Sequence, residues 1–358
     1  MPPSDRRAAL RALLPARDVD ALLVTDLVNI RYLTGFTGSN AALLVHVDGD
    51  DRSRFCTDAR YRSQSAAQVP DLERVEDRAC ARTLVAAAAG GRVGFESDTV
   101  TVDAHAALVE AAGDTALHRV PGLVQRLRMV KDEAEIDALR AACAAADAAL
   151  TDLVDAGGIA PGRTERDVAL DLEDRMRGHG AQGPAFGTIV AAGPHSAVPH
   201  HRPTDAVLRR GDLVTIDFGA LVGGYHSDTT RTFVLGPPAD WQCELHALVA
   251  AAQQAGRDAL APGADVVAVD AAARTVCEDA GRGREFLHGL GHGVGLQIHE
   301  APLLARTGVG VLAAGMAVTV EPGVYLEGRG GVRIEDTVVV RDGGPEVLTA
   351  TTRELLPL

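Results

Sequence analysis

Three segments in the C-terminal part of this chain carry residues of the types and spacing that a two-metal hydrolytic centre needs. Leu213 to Phe233 reads LVTIDFGALVGGYHSDTTRTF, with Asp217 and Asp228 on either side of a Gly-Gly pair. Phe286 to Glu300 reads FLHGLGHGVGLQIHE, with His288, His292 and His299. Val318 to Asp336 reads VTVEPGVYLEGRGGVRIED, with Glu321 and Glu335 flanking a second glycine-rich turn. Two hard divalent cations need several oxygen ligands and an imidazole, which these segments offer together. Asp217 and Asp228 are symmetric about the Val222-Gly223 step, and Glu321 and Glu335 about Gly328. Hairpins in simple register would therefore make each pair cross-strand partners, with Cβ atoms ~4.5–5.5 Å apart. Like charges placed opposite each other are unfavourable. Both pairs also sit among apolar strand residues such as Val214, Ile216, Val320 and Ile334. Bound divalent metal supplies the compensation that buried carboxylates require.

The histidines divide on local grounds. His288 and His292 are four residues apart, but the glycines between them disfavour a helix, so a helical zinc-site reading does not apply. A second cluster, GPHSAVPHHRP from Gly193 to Pro203, holds His195, His200 and His201. Its turn-rich flanks make His195 a surface-loop residue. His226 falls at a predicted turn and His246 on a predicted helix, and neither is assigned a role.

The elements that must hold these residues follow from apolar periodicity and breakers. Short strands are predicted at Ala21–Thr25, Ala41–His46 and Arg92–Phe95, alternating with helices such as Ser4–Leu14 and Val102–Ala112, which suggests a small α/β domain. Val120-Pro121-Gly122 marks its end. A long amphipathic helix is expected from Asp132 to Asp155, stopped by Gly157-Gly158. A second starts at a capping box of Thr164 and Asp167 and ends near Gly178–Gly180. Strands at Thr188–Ala191 and Leu213–Phe218 precede helices at Asp240–Ala259 and Asp265–Ala280. Helix pairs separated from strand hairpins favour α+β over a doubly wound sheet. No repeat of 20–50 residues is visible.

Composition limits what such a centre could act on. The 358-residue chain, 46% hydrophobic and 23% charged, can bury two cores. Its net charge of −14 argues against nucleic acid or an anionic membrane as partner. The acidic excess lies mainly after residue 125, where 32 acidic residues face 21 basic ones, in the region of the proposed metals. No apolar run reaches the ~18 residues of a membrane span. MPPSDRRAAL lacks a signal-peptide core, so a cytoplasmic location is expected. Cys56, Cys80, Cys143, Cys243 and Cys277 show no paired spacing and are read as buried or incidental thiols. Lys131 is the single lysine beside 34 arginines, a bias that carries no functional reading.

Taken together, the three C-terminal segments resemble those of the pita-bread metallopeptidases (M24), the family of methionine aminopeptidase, aminopeptidase P and prolidase. NIRYLTGFTGSNAALLV, Asn29 to Val45, resembles the creatinase/prolidase N-terminal domain. LRMVKDEAEIDALRAA, Leu127 to Ala142, is similar to the opening helix of the family's catalytic domain. The resemblance spans essentially the whole chain. It implies an α+β architecture: a small α/β creatinase-like N-terminal domain, residues 1–125, followed by a pita-bread catalytic domain, residues 126–358.

The same resemblance implies roles. Asp217, Asp228, His292, Glu321 and Glu335 would be the metal ligands, with Asp228 and Glu335 bridging two divalent ions. Mn²⁺ suits four carboxylates and one imidazole best, while Co²⁺ and Zn²⁺ also fit. His200 and His299 match histidines that contact substrate, His288 a proline-site histidine, and Arg333 an arginine that hydrogen-bonds within the site. His201 has no secure counterpart. Glu321 would take the proton of the attacking water and return it to the leaving nitrogen. The substrates implied are short peptides with proline in second position, cut by an Xaa-Pro aminopeptidase or Xaa-Pro dipeptidase. The creatinase-like domain argues against methionine aminopeptidase, and the complete ligand set against creatinase. Relatives of this layout are commonly homodimers. An inactive peptide- or protein-binding pseudo-peptidase is the alternative, and such relatives typically lose ligands.

Overall fold

The structure is a computed structural model that describes every residue from 1 to 358 except Ala89. Internal packing divides the chain into Met1–Arg128 and Met129–Leu358.

In the first unit, six strands form one mixed sheet: β1 Ala21–Val24, β2 Ala41–His46, β3 Arg54–Thr57, β4 Glu73–Glu76, β5 Arg92–Phe95 and β6 Ala116–Arg119, in the order β4-β3-β2-β1-β5-β6. The central strands are buried on both faces, which explains why ALLV and AALLVH read as continuous apolar runs rather than alternating ones. Ala21, Leu23, Ala42 and Val93 pack against Leu84, Val85 and Leu108 of the helices Cys80–Ala87 and Val102–Ala112. The expected strands are present. β3, β4, β6 and the helix Leu27–Thr34 add to them.

The second unit opens with the helices Glu133–Asp155 and Glu165–Gly178, both started by capping boxes. Asp132 accepts from the Glu135 amide, and Thr164 from the Asp167 amide. Then come β7 Gly183–Pro184, β8 Ile189–Ala192, β9 Leu213–Phe218, β10 Ala220–Val222, β11 Tyr225–His226 and β12 Thr229–Val234. A second helix pair, Asp240–Asp258 and Val266–Asp279, leads into β13 Gly291–Gly293, β14 Glu300–Leu304, β15 Ala317–Val320, β16 Gly323–Leu326, β17 Gly330–Arg333, β18 Asp336–Val339 and β19 Glu346–Val347. Each half is thus a helix pair followed by antiparallel strands. The first pair buries Leu150, Leu153, Leu172 and Met176 on the apolar face of β8, β9 and β12. The second buries Val249, Val269 and Ala273 with Val318, Val320 and Val338 of β15 and β18. Among the described residues no helix is long and apolar enough to cross a membrane.

Both hairpins that carry the carboxylates form, but the first is centred differently from the expected symmetry. β9 pairs with β12 so that Asp217 faces Thr230, and β10 pairs with β11 so that Val222 faces Tyr225. The turn is therefore Gly223-Gly224, not Val222-Gly223, and the register shifts by two residues. Both turn glycines have positive φ, 57° and 83°, as a two-residue hairpin turn demands of its central pair. The expected direct Asp217–Asp228 pairing is accordingly wrong. Asp228 lies two residues before Thr230, diagonal to Asp217. The second hairpin keeps its predicted register: Val320 faces Asp336 and Gly323 faces Arg333, on either side of Glu321 and Glu335.

Candidate metal centre

Three of the four carboxylates sit where a strand ladder is interrupted, and Asp217 lies within one. Asp217 is the fifth residue of β9. Strand alternation sends Val214, Ile216 and Phe218 into the helix-packed core and Thr215 and Asp217 to the other face. Asp228 lies in a break between β11 and β12, opposite a kink at Gly219, where an added Cβ would stand 1.9 Å from the Ser227 carbonyl oxygen. Glu321 and Glu335 sit between the two sheet pieces of the second hairpin. Their amides leave that ladder, Glu321 donating to the Leu290 carbonyl (2.8 Å) and Glu335 to that of Thr230 (3.1 Å). The second contact joins the two halves at the site.

These side chains meet in a cleft of about 220 Å³ that Asp217, Asp228, His292, Glu321, Glu335 and Arg333 line together. Donor atoms of Asp228, His292 and Glu335 lie within 4.8 Å of one another. His292 Nε2 is 3.6 Å from Asp228 Oδ2 and 3.4 Å from Glu321 Oε1. His292 Nδ1 is 3.0 Å from the Gly293 carbonyl, which can only accept. The ring proton therefore sits on Nδ1, and Nε2 turns its lone pair towards the carboxylates. Burial pushes the His292 pKa down to about 4, so the ring is neutral near pH 7.

A cation fits this donor set on two observations. First, Asp217 Oδ1 is buried without a hydrogen-bond partner among the described residues, while Oδ2 accepts from Arg333 Nη2 at 2.7 Å. Second, crowding drives the acids upward. Burial, then Asp217 and Glu321, raise Asp228 well above its ordinary value. Burial, then Asp228, Glu321 and Asp217, do the same to Glu335. Burial pushes Glu321 up to about 8 against the opposing pull of Arg333. Carboxylates so disposed ionise together only beside positive charge, which one arginine does not supply in full.

Around the acids runs a supporting layer that the sequence reading found in part. Arg333 bonds Asp217, the Tyr325 hydroxyl (2.9 Å), Thr230 Oγ1 (3.1 Å) and the Pro199 carbonyl (3.3 Å). Thr230 Oγ1 donates to Glu335 Oε2 at 2.7 Å. His288 has both ring nitrogens engaged, Nδ1 with the Gly289 carbonyl and Nε2 with the Tyr325 hydroxyl, each at 2.8 Å. It offers the cleft a neutral ring, its pKa brought to about 4 by burial, rather than a free nitrogen. His200 and His299 line the same cleft and have no hydrogen-bond partner among the described residues. The His299 ring stands edge to face with His292 at 4.4 Å. Phe186, Ile189, Pro199, Ile298 and Leu303 complete an apolar wall. Tyr325 and Thr230 carried no sequence signal beyond strand parity.

The remaining histidines fall elsewhere. His195 and His201 both bond the buried Glu165, so the surface-loop reading of His195 is incomplete. His226 lies in β11, not a turn, with Nδ1 on the Gly295 carbonyl. His246 is buried in the helix Asp240–Asp258. The cysteines are free, four of them buried and Cys243 exposed.

Comparison with known proteins agrees with this geometry. Residues 137–342 match metallopeptidase family M24, and residues 6–130 match the creatinase/prolidase N-terminal domain. An Xaa-Pro dipeptidase of Pyrococcus furiosus is 35% identical over 352 residues, 98% of this chain and 99% of its own. Among solved structures, an Xaa-Pro dipeptidase from Bacillus anthracis superposes with a TM-score of 0.95 at 38% identity, covering 99% of this chain and 100% of the other. An X-Pro aminopeptidase from Thermotoga maritima does so with 0.89 at 33% identity, covering 98% and 99%. The chain belongs to metallopeptidase family M24, with a creatinase/prolidase N-terminal domain ahead of a pita-bread catalytic domain.

Proposed function

We propose that this chain is a cytoplasmic, homodimeric metallo-exopeptidase that hydrolyses the bond between an N-terminal residue and a following proline in short peptides. The observation that carries the reading is the converging donor set, with Asp217 Oδ1 buried and without a hydrogen-bond partner among the described residues, beside three acids that cannot all ionise without further positive charge. Asp217, Asp228, His292, Glu321 and Glu335 would hold two divalent ions, with Mn²⁺ preferred for its affinity for oxygen ligands. When bound, such ions supply Lewis acidity that polarises a carbonyl and lowers the pKa of a water.

The chain's own residues do the rest. Glu321 accepts the proton of the attacking water on its carboxylate and delivers it to the proline nitrogen as that bond breaks. The anion of an amine is too basic to leave, so the proline nitrogen departs only when protonated. His299 and His200 donate N–H groups to the oxygen of the tetrahedral intermediate, where charge is greatest. His299 is suited to this as a neutral donor, since burial holds its pKa below the ordinary value. Arg333 keeps Asp217 and Tyr325 in place, and His288 with the apolar wall shapes the cleft for a compact ring.

The test is a metal-reconstituted assay comparing Ala-Pro, Ala-Pro-Ala and Met-Ala-Ala. Cleavage of the first alone supports a dipeptidase, and of the first two an aminopeptidase. Cleavage of Met-Ala-Ala alone, or full activity in a verified metal-free preparation, would overturn the reading.

A further inference from the structure

The loop 193–204, which carries His200, is anchored to a carboxylate that takes no part in the chemistry above. Glu165 is the first residue of the helix Glu165–Gly178, and its side chain is fully buried. Oε1 accepts from the Ala192 amide (2.9 Å) and His195 Nδ1 (2.8 Å). Oε2 accepts from His201 Nε2 (2.8 Å), the Thr204 amide (3.0 Å) and Thr204 Oγ1 (2.7 Å). Burial pushes the Glu165 pKa up, but these donors together hold it down at about 2. An ionised carboxylate only accepts, so both imidazoles must present N–H to it. Their rings stack at 4.4 Å, 28° from parallel. Five donors already fill the roughly four lone-pair sites a carboxylate offers, which leaves none for a metal ion.

The bonded residues bracket His200. Ala192 and His195 lie before it, and His201 and Thr204 after it. From the opposite side, Arg333 Nη1 donates to the Pro199 carbonyl (3.3 Å), and Ser196 Oγ accepts from the Gly331 amide (2.9 Å). His200 itself is exposed and has no hydrogen-bond partner among the described residues. Its place in the cleft is therefore set by what holds its neighbours. We propose that Glu165 is a positioning residue for catalysis: through His195, His201 and Thr204 it fixes the 193–204 loop so that His200 meets the tetrahedral oxygen. The role given to His200 rests on the peptidase reading above.

The test is a double-mutant cycle on the metal-loaded full chain with Ala-Pro as substrate. Misplacing a donor by about 1 Å costs on the order of 10²-fold. Glu165→Gln is therefore expected to lower kcat by roughly 10- to 10²-fold, with KM and bound metal unchanged. In a His200→Ala background the same substitution should cost less than about twofold, because its effect passes through a residue already removed. Multiplying losses, a rise in KM alone, or loss of a metal equivalent would each overturn the proposal. Should Glu165→Gln fold poorly, His201→Gln, which keeps an N–H donor, is expected to recover most of the kcat lost in His201→Leu. Equal losses in those two variants would count against it. If the wild type cleaves neither Ala-Pro nor Ala-Pro-Ala, the peptidase reading fails. The clamp is then judged by amide exchange at Thr204, which should speed up in Glu165→Gln and whose constancy would remove it.

Discussion

His292 and His299 touch edge to face, yet their surroundings give them different work. His292 is held by the neighbouring Gly293 carbonyl with Nε2 aimed at two carboxylates, whereas His299 lines the cleft with no hydrogen-bond partner among the described residues. His292→Ala is therefore expected to lose or loosen bound metal. His299→Ala and His200→Ala should keep both ions and lose turnover by ~10²–10³, the usual effect of removing an oxyanion donor. Metal stoichiometry measured beside kcat on an Xaa-Pro peptide separates the cases, and the reverse pattern for His292 and His299 would sink the assignment. At this scale the acids and the histidine segment were legible because buried like charges are costly, so their recurrence in apolar strands is conspicuous. Glu165 was not legible. A glutamate at the first turn of a helix looks like an ordinary dipole-stabilised surface residue. Only the return of the chain at Ala192, His201 and Thr204 turns it into a buried anchor.

Hairpin geometry sets where these side chains arrive, and it depends on two glycine features. The Gly223-Gly224 turn fixes the register of β9 through β12, and Gly219 admits the Ser227 carbonyl where no Cβ can stand. Gly219→Ala should thus displace the break that presents Asp228. We expect a loss of about 1–3 kcal/mol of stability, in the range for overpacked sites, together with weaker metal retention. Urea unfolding midpoints with metal analysis check this, and wild-type values for both would refute it. The helices were readable from their caps, Asp132 with Glu135 and Thr164 with Asp167, because capping is written within four residues. The first hairpin's register was misread for a related reason. Symmetry of the acids about Val222-Gly223 was a weaker guide than the left-handed backbone that only the Gly-Gly pair supplies. Strands β4 and β6 escaped notice because Glu73–Glu76 and Ala116–Arg119 bury little and lack a clear alternation, and β3 because its mostly buried run, Arg54–Thr57, is only four residues long.

The catalytic unit as a whole is two similar halves whose hairpins meet at the acids. The similarity recurs over more than a hundred residues, too long and too divergent to appear as a short sequence repeat. Proposed homodimer formation is checked by light scattering, where a 37.3 kDa species alone would count against it. Global stability towards acid follows from groups buried far apart in sequence. Burial brings His246 from an ordinary 6.5 to about 4. Below pH 6.5 the unfolded chain takes up a proton that the folded chain refuses, so stability falls until about pH 4, by up to about 3 kcal/mol for this one residue. His288 and His292, also at about 4 without metal, steepen the same limb. Glu165 acts in a lower window. Its folded value of about 2 lies below the ordinary 4.5, so its contribution is complete above pH 4.5 and fades as pH drops towards 2. His246→Leu should therefore flatten the stability profile between pH 6.5 and 4 without altering the loss between 4.5 and 2. Urea midpoints of the metal-free protein at pH 7, 5.5 and 4 supply the comparison. If the variant and the wild type lose stability in parallel over that range, His246 is not a neutral buried histidine in the folded protein, and the acid limb belongs to other groups.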